Sequence, residues 1–166
     1  QEKLGAGGNG AVYRARHALL RRPTAIKLMN SEFARSDAAR KRFEHEVQIT
    51  SSLSHPNTVA IYDYGQTPDG TLYYAMELLN GRTLEQLVRG SGPLSAARAI
   101  HILQQIAGSL AEAHGMGLIH RDIKPSNAIL CERGGLFDVV KVTDFGLVKE
   151  IAQTDGDLTH ANVLIG

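Results

Sequence analysis

Residues 120–127 read HRDIKPSN, a short turn-rich segment that concentrates chemically capable side chains. Asp122 is a carboxylate that can act as a base, and Asn127 carries an amide of the kind that binds divalent cations. A polar surface loop can have the same composition, but such a loop has no reason to follow the apolar pair Leu118-Ile119. The segment therefore indicates a functional loop that begins where an apolar element ends.

A second motif follows downstream. Residues 144–146 read DFG and end a β-type run, where the carboxylate of Asp144 can hold Mg²⁺ and the glycine permits a turn. The tripeptide alone is common in turns. Its occurrence after an H-R-D-x-x-x-x-N segment, in this order, is not easily a matter of chance. The two motifs together favour a metal-binding catalytic site.

A glycine-rich segment lies near the start of the chain, with the pattern Gly5-x-Gly7-x-x-Gly10-x-Val12. Glycines let a backbone approach phosphate oxygens and present its N–H groups to them. A plain hairpin turn and a dinucleotide-binding loop would both look similar. The dinucleotide-binding pattern needs a strand, the loop and then a helix, whereas AVYRARH and another strand follow here. A Walker A loop is excluded because no Gly-Lys-Ser/Thr follows the glycines.

A lysine and a glutamate between these motifs form a candidate pair. Lys27 ends a strand segment, and Glu46 lies beside Val47 on the apolar side of the next helix, where a carboxylate is costly unless it is paired. A lysine held by that glutamate could neutralise the α- and β-phosphates of a nucleotide. An exposed strand lysine and a solvated helix-edge glutamate remain open alternatives.

The hydrophobic pattern predicts an α+β chain, with a strand-rich part up to about residue 79 and a helix-rich part after it. Strands are predicted within 3–17, 21–30, 58–66, 71–79, 127–130 and 139–144. Helices are predicted after caps at Ser36 or Asp37, at Thr83 with Gln86, and at Ser95. The apolar faces are Ala39, Phe43, Val47, Thr50 and Leu53 in the first helix, and Ile100, Leu103, Ile106, Ala107 and Leu110 in the third.

The composition excludes several classes of protein. Lys and Arg number 18 against 17 Asp and Glu, so no overall charge steers the chain onto nucleic acid or an acidic membrane. The single cysteine, Cys131, cannot form an internal disulfide, which favours a reducing cytoplasmic setting. The sequence has no apolar run long enough for a membrane span and no signal peptide at Gln1. We expect no nucleic-acid or membrane contact, although segments outside this sequence could anchor the full-length protein.

The motifs together resemble the eukaryotic-like serine/threonine protein kinases, and especially those of bacteria. The resemblance runs along nearly the whole chain, from the glycine loop, Lys27 and Glu46 to a hinge after Met76-Glu77, then HRDIKPSN and DFG. It implies a two-lobe fold, with a small β-rich N-lobe over residues 1–79 and a helical C-lobe over 80–166. The family's Ala-Pro-Glu segment and later helices have no counterpart before Gly166. We therefore expect an incomplete C-lobe and, for this piece alone, poor stability.

The resemblance also implies ATP and Mg²⁺ as ligands and a role for each matched residue. Asp122 would orient the substrate hydroxyl and accept its proton, and Lys124 would neutralise the γ-phosphate. Asn127 and Asp144 would hold Mg²⁺. The nucleotide would be bound by Leu4, Gly5, Ala6, Gly7, Gly8, Gly10, Val12, Ala25, Lys27, Glu46, Glu77, Leu79 and Ile129, with Met76 behind the adenine.

The implied activity is transfer of the γ-phosphoryl group of ATP to Ser or Thr hydroxyls of proteins, with self-association during autophosphorylation as a further implication. Arg121 would await an anionic partner, for which Thr159 is favoured over Thr154 as a phosphorylation site. One alternative is a pseudokinase that binds nucleotide and signals by conformation. Another, a dinucleotide-binding oxidoreductase, depends on the glycine pattern alone.

Overall fold

The computed structural model describes residues 2–8, 10–30 and 36–145. Two antiparallel sheets organise this part of the chain, the first with five strands and the second with three. The first sheet has the order β1-β2-β3-β5-β4, and the second has the order β6-β7-β8. The strands are β1 (Glu2–Gly7), β2 (Gly10–Arg16), β3 (Pro23–Met29), β4 (Ile61–Gln66), β5 (Leu72–Glu77), β6 (Gly81–Thr83), β7 (Ala128–Arg133) and β8 (Leu136–Val142).

Three helices accompany the sheets: α1 (Asp37–Ser52), α2 (Leu84–Ser91) and α3 (Ala96–Gly115). Each begins at a predicted cap. The Ser36 hydroxyl accepts from the backbone N–H of residue 39, and Ser95 caps α3 in the same way. Thr83 and Gln86 form a complete capping box at the start of α2. The sequence prediction of these three helix starts is therefore confirmed.

The β1–β2 hairpin and the strand β3, with Pro23 at its first position, are also confirmed. The predicted apolar face of α1 is buried as expected: Ala39, Phe43, Val47 and Thr50 all face the core. The short strand β6 was not predicted, because three residues are too few to show a hydrophobic period.

The predicted apolar face of α3 is right only in part. Ile106 is buried and Leu110 packs against the core, but Ile100 and Leu103 are 56% and 60% exposed. The buried positions also include Ser109 and Ala113. Their small side chains let α3 pack against β8, and the Ser109 hydroxyl hydrogen-bonds Thr58 at 2.7 Å. Hydrophobic periodicity cannot identify a face whose close contact depends on a serine and an alanine.

Two core clusters lie on either side of the chain segment that joins α1 to β4. One lies beneath the first sheet and includes Phe43 and Tyr74, and the other lies between α3 and the second sheet and includes Ile102 and Val142. The joining segment is bonded to β8: Val142 donates its N–H to Asn57 and accepts from the N–H of residue 59. This ladder fixes the first sheet over the second and defines the cleft between them.

The expected boundary between the two lobes at residue 79 falls between β5 and β6, and it stays a prediction.

Of the helices in the described ranges, none has the length and apolar character that a bilayer crossing requires.

Candidate active site

A cavity of about 670 Å³ opens between the two sheets. Every predicted site residue except Glu46 lines it, which brings together parts of the chain more than 100 residues apart. These residues are Leu4, Gly5, Ala6, Gly7, Gly8, Gly10, Val12, Ala25, Lys27, Glu77, Leu79, Asp122, Lys124, Asn127, Ile129 and Asp144. Arg14, Thr83, Gln86, Ser126 and Thr143 line it as well and were not predicted. Of these, only Ser126 carried a signal, since it lies inside the HRDIKPSN segment.

The glycine-rich hairpin forms the upper wall of the cavity. Its tip pairs Gly7 with Gly10, and every residue of β1 is exposed. Gly10 has a φ of +138°, and a Cβ built there would lie 2.0 Å from the backbone oxygen of Leu28. A Cβ at Gly5 or Gly7 would meet nothing within 4 Å. Gly10 is thus required by the sheet, whereas the other glycines leave the cavity side of the hairpin uncovered.

Lys27 has a different partner from the one predicted. Its side chain is buried, and Nζ lies 2.5 Å from Oδ1 of Asp144. Within the described ranges this carboxylate, and not Glu46, is the ion-pair partner of Lys27. The predicted Lys27–Glu46 pair is corrected accordingly. Lys27, the proposed phosphate ligand, and Asp144, the proposed metal ligand, therefore form an ion pair with each other.

Glu46 is paired with the HRDIKPSN segment instead. An oxygen of its carboxylate lies 3.6 Å from a guanidinium nitrogen of Arg121, with the glutamate side chain 17% and the arginine side chain 33% exposed. The pair joins α1 to the HRDIKPSN segment. Glu46 therefore does not line the cavity. Its negative charge, on the apolar side of α1, is compensated by Arg121.

A tyrosine completes the group around Asp144. Tyr74 lies directly opposite Lys27 in the β3–β5 pairing, and its hydroxyl donates to the same Oδ1 at 3.0 Å. Burial, followed by the charge of Asp144 and this hydrogen bond, raises the pKa of Tyr74 well above its usual value. The phenol therefore stays protonated and acts as a donor.

Hydrogen bonds within the HRDIKPSN segment fix the proposed catalytic carboxylate. Lys124 Nζ donates to Oδ2 of Asp122 at 2.7 Å. The amide nitrogen of Asn127 donates to the backbone oxygen of Asp122 at 2.9 Å and reaches its Oδ2 at 3.4 Å. Pro125–Asn127 form a single 3-10 turn that brings the amide back towards the carboxylate. The spacing of the motif thus reflects one tight turn.

His120 makes hydrogen bonds that connect this segment to the residues before the DFG motif. Its Nε2 lies 3.0 Å from the carbonyl oxygen of Thr143, and its Nδ1 lies 3.3 Å from the N–H of Asp122. Because a carbonyl can only accept and an N–H can only donate, we assign the proton to Nε2. Burial lowers the pKa of His120, an effect opposed by its hydrogen bond to Thr143 and by the charges of Asp144 and Asp122. A neutral imidazole that also packs on the ring of Phe145 therefore joins the two motifs.

A charge cluster of Glu77, Lys141 and the exposed Arg133 lies at the end of β5. Glu77 pairs through Oε1 with Arg133, and Lys141 Nζ lies 3.1 Å from Oε2 without hydrogen-bond geometry. Lys141 is buried and donates instead to the backbone oxygen of Thr58. The backbone N–H of Glu77 donates to Ala60. The segment predicted to contact adenine is thus anchored to β7, β8 and the α1–β4 connection.

Three predicted elements lie outside the described residues. They are the glycine of the DFG motif, Gly146, and the two candidate phosphorylation sites, Thr154 and Thr159.

Sequence comparisons agree with this geometry. The protein kinase domain family matches residues 1–164. Serine/threonine-protein kinase pkn3 of Myxococcus xanthus is 38% identical over 165 residues, and PrkC of Bacillus subtilis is 39% identical over 163 residues. Each alignment covers 98% of this chain but only 30% and 24%, respectively, of the relative. The chain therefore spans less than a third of the length of these curated relatives.

Structure comparison gives the same result. The kinase domain of PknI from Mycobacterium tuberculosis matches with a TM-score of 0.77 and 31% identity, over 89% of this chain and 58% of that one. The shared architecture is the two-lobe kinase fold, with a β-rich N-lobe and part of a helical C-lobe. Because the family match extends over almost all of its residues, the chain belongs to the protein kinase domain family.

Proposed function

We propose that the protein transfers the γ-phosphoryl group of ATP to Ser or Thr hydroxyls of protein substrates. The observation that carries this proposal is the convergence of Lys27, Asp122, Asn127 and Asp144 on one cavity beneath a glycine-rich hairpin. Phosphoryl transfer needs little covalent help from a protein and depends on positioning and charge neutralisation. Together with Lys124, which lines the same cavity, these four residues place two carboxylates, an amide and two cations where those functions are needed.

The nucleotide would lie between the two sheets. Its adenine would fit between Val12 and Ala25 above and Ile129 below, next to the main chain of Glu77 and Leu79. The ion pairs of Glu77 with the buried Lys141 and with Arg133 support this, because a fixed backbone is needed to recognise the polar edge of a base. The open backbone at the tip of the hairpin can approach the phosphates.

Asn127 and Asp144 fit the requirements of a magnesium site. The hydrogen bonds of Asn127 to Asp122 use its amide nitrogen, which leaves the amide oxygen as a ligand. Both donors to Asp144 bind Oδ1, and within the described ranges none binds Oδ2. Oxygen ligands are those that Mg²⁺ prefers, and it usually takes one or two from a protein together with phosphate. When bound, the metal neutralises charge on the phosphates.

Asp122 would orient the substrate hydroxyl and accept its proton. The hydrogen bonds from Lys124 and Asn127 restrict the rotation of its carboxylate, which supports a positioning role. Lys124 lines the same cavity and would place its charge on the γ-phosphate during transfer. Lys27 would bind the α- and β-phosphates once nucleotide competes with Asp144 for its ammonium group.

The proposed substrates are proteins bearing Ser or Thr. The relatives at 38% and 39% identity are both named serine/threonine-protein kinases, and the KPSN sequence at 124–127 fits the same branch. The phosphorylated residue in this chain itself would be Thr159, and self-association would accompany that reaction.

The full-length protein tests this proposal. It should transfer label from γ-labelled ATP with Mg²⁺, and the label should appear on Ser or Thr after acid hydrolysis. Mg-ATP, and not NAD, should raise its melting temperature. A shift with Mg-ATP and no transfer to any protein would support the pseudokinase alternative. A shift with NAD alone would support the dinucleotide-binding alternative, and either result would overturn the kinase proposal.

A further inference from the structure

Tyr74 occupies a position that the proposed reaction does not yet use. It lies in the middle of β5, its side chain is buried, and its hydroxyl donates to Asp144 Oδ1 at 3.0 Å. Because Tyr74 and Lys27 are directly opposite across the β3–β5 pair, their side chains leave the sheet on the same face. Both therefore reach one carboxylate oxygen from a rigid part of the sheet.

Asp144 needs such support because of where it lies. It follows the last residue of β8, Val142, by two positions, and its φ of +61° lies in the left-handed region. The side chain is 29% exposed and faces the cavity rather than a packed core. Lys27 alone would hold it poorly once that ammonium group turns towards phosphate. The Tyr74 hydroxyl remains a donor in either case, since phosphate does not compete for a fully buried phenol.

We propose that Tyr74 is a positioning residue for Asp144, holding Oδ1 so that Oδ2 stays directed at the metal of a bound nucleotide. This inference rests on the proposed function, because Mg²⁺ with nucleotide is the ligand concerned. Hydrogen bonds to a ligating carboxylate orient it and strengthen metal binding without touching the metal. The donor here is neutral, so it orients Asp144 without competing with the metal as a second cation would.

A purely structural role for the hydroxyl has a different consequence. A buried tyrosine O–H needs some acceptor, and Asp144 would then serve only to satisfy it. Loss of the hydroxyl would in that case change the melting temperature of the free protein and leave its response to Mg²⁺ unchanged. The dependence of nucleotide binding on Mg²⁺ therefore separates the two roles.

The experiment compares Tyr74→Phe with wild type in the full-length protein. The phenylalanine keeps the ring in the core and leaves no cavity, so that only the hydroxyl is removed. Tyr73→Phe is the matched control, because Tyr73 is the preceding residue of β5, lies on the opposite face, and makes no side-chain hydrogen bond within the described ranges. Melting temperature is followed during a Mg²⁺ titration at fixed ATP, and ATP affinity is measured separately in EDTA.

We expect Tyr74→Phe to raise the Mg²⁺ concentration for half-maximal stabilisation roughly tenfold. Its ATP affinity in EDTA should be unchanged, and Tyr73→Phe should match wild type in both measurements. An unchanged Mg²⁺ response in Tyr74→Phe would overturn the inference, as would an equal loss of ATP affinity without metal. A wild type that shows no Mg²⁺-dependent stabilisation at all would overturn the proposed function and this inference with it.

Discussion

The glycine-rich hairpin and the HRDIKPSN segment face each other across the cavity and are built in opposite ways. In the hairpin, β1 is exposed throughout, and backbone pairing with β2 holds the strand. Among the described residues, Asn30 adds one side-chain hydrogen bond at the tip, to the carbonyl oxygen of Gly8. In the HRDIKPSN segment, side-chain hydrogen bonds join Asp122 to Lys124 and Asn127. One wall of the site is thus shaped by backbone geometry and the other by a side-chain network.

This difference predicts how each wall responds to substitution. Removing a functional group should matter most in the networked wall, where each group orients another. Adding a side-chain atom should matter most in the hairpin, where the free space and the φ angle at a glycine determine whether a larger residue fits. The Lys27–Asp144 pair connects the two walls, since Lys27 belongs to the first sheet and Asp144 follows the second. Substitutions at each wall and at their connection therefore test the comparison.

The largest effect is expected for substitutions of the charged groups. Asp122→Asn removes the proposed base but keeps an acceptor for Lys124, so transfer should fall about 10²- to 10⁴-fold with ATP binding retained. Lys27→Met should abolish transfer and weaken ATP binding as well, because it removes the phosphate cation and leaves Asp144 with Tyr74 as its donor. Rates of label transfer and ATP affinity are measured on both variants of the full-length protein.

The control for these variants is Lys41→Met on the exposed side of α1, which should behave as wild type. Near-normal transfer by Asp122→Asn would remove Asp122 from its proposed role. Normal ATP binding by Lys27→Met would show that its ammonium group serves Asp144 alone.

The next largest effect is expected for substitution of a glycine in the hairpin, and it should differ between Gly10 and Gly7. Gly10→Ala forces a Cβ to within 2.0 Å of a backbone oxygen at a φ of +138°, so we expect a loss of about 3 kcal/mol in stability. Gly7→Ala meets no atom within 4 Å and should leave stability unchanged. If the hairpin tip approaches phosphates as proposed, Gly7→Ala should still weaken ATP binding. Thermal unfolding with and without Mg-ATP measures both effects, and equal unfolding temperatures for the two variants would contradict this account of the hairpin.

A smaller loss of stability is expected in the charge cluster around Glu77. Lys141→Met removes a buried cation 3.1 Å from Glu77 and leaves Arg133 as its remaining ion-pair partner. The acceptor oxygen of Thr58 also loses its donor, so we expect a cost of about 2 kcal/mol. ATP affinity should fall in parallel, because the adenine-facing backbone is less firmly held. Unchanged ATP affinity in a destabilised variant would confine the cluster to a folding role.

These contrasts also indicate what the sequence can reveal. Local signals were sufficient for the hairpin, for the caps of all three helices and for the buried face of α1, because each depends on neighbouring residues. They failed for the ion pairs of Lys27 and Glu46. Asp144 lies 117 residues beyond Lys27, and which acid reaches the lysine depends on how the sheets are placed. Tyr74 gave no signal at all, since a strand tyrosine is ordinarily a core residue.

The smallest expected effect is a dependence of stability on pH that originates in the networked wall. Burial lowers the pKa of His120 in the folded protein below its ordinary value near 6.5. As pH falls below that value, the unfolded chain binds a proton that the folded protein does not, so stability decreases until the folded-state pKa is reached. The charges of Asp122 and Asp144 oppose the shift without reversing it. Stability should therefore be fully present above pH 6.5 and decline below it.

His120→Gln separates this contribution from the rest of the molecule. Glutamine keeps an N–H that can donate to the Thr143 carbonyl but does not titrate, so the variant should unfold more easily at pH 8 and show a flatter decline towards pH 5. His17→Gln is the matched control, because it makes the same replacement at an exposed histidine that follows the β2 strand. The melting temperatures of wild type and both variants are measured between pH 5 and pH 8, and their slopes against pH are compared. An equal slope in wild type and His120→Gln would mean that the imidazole titrates alike in the folded and unfolded chain, and that its burial does not discriminate against the charged form.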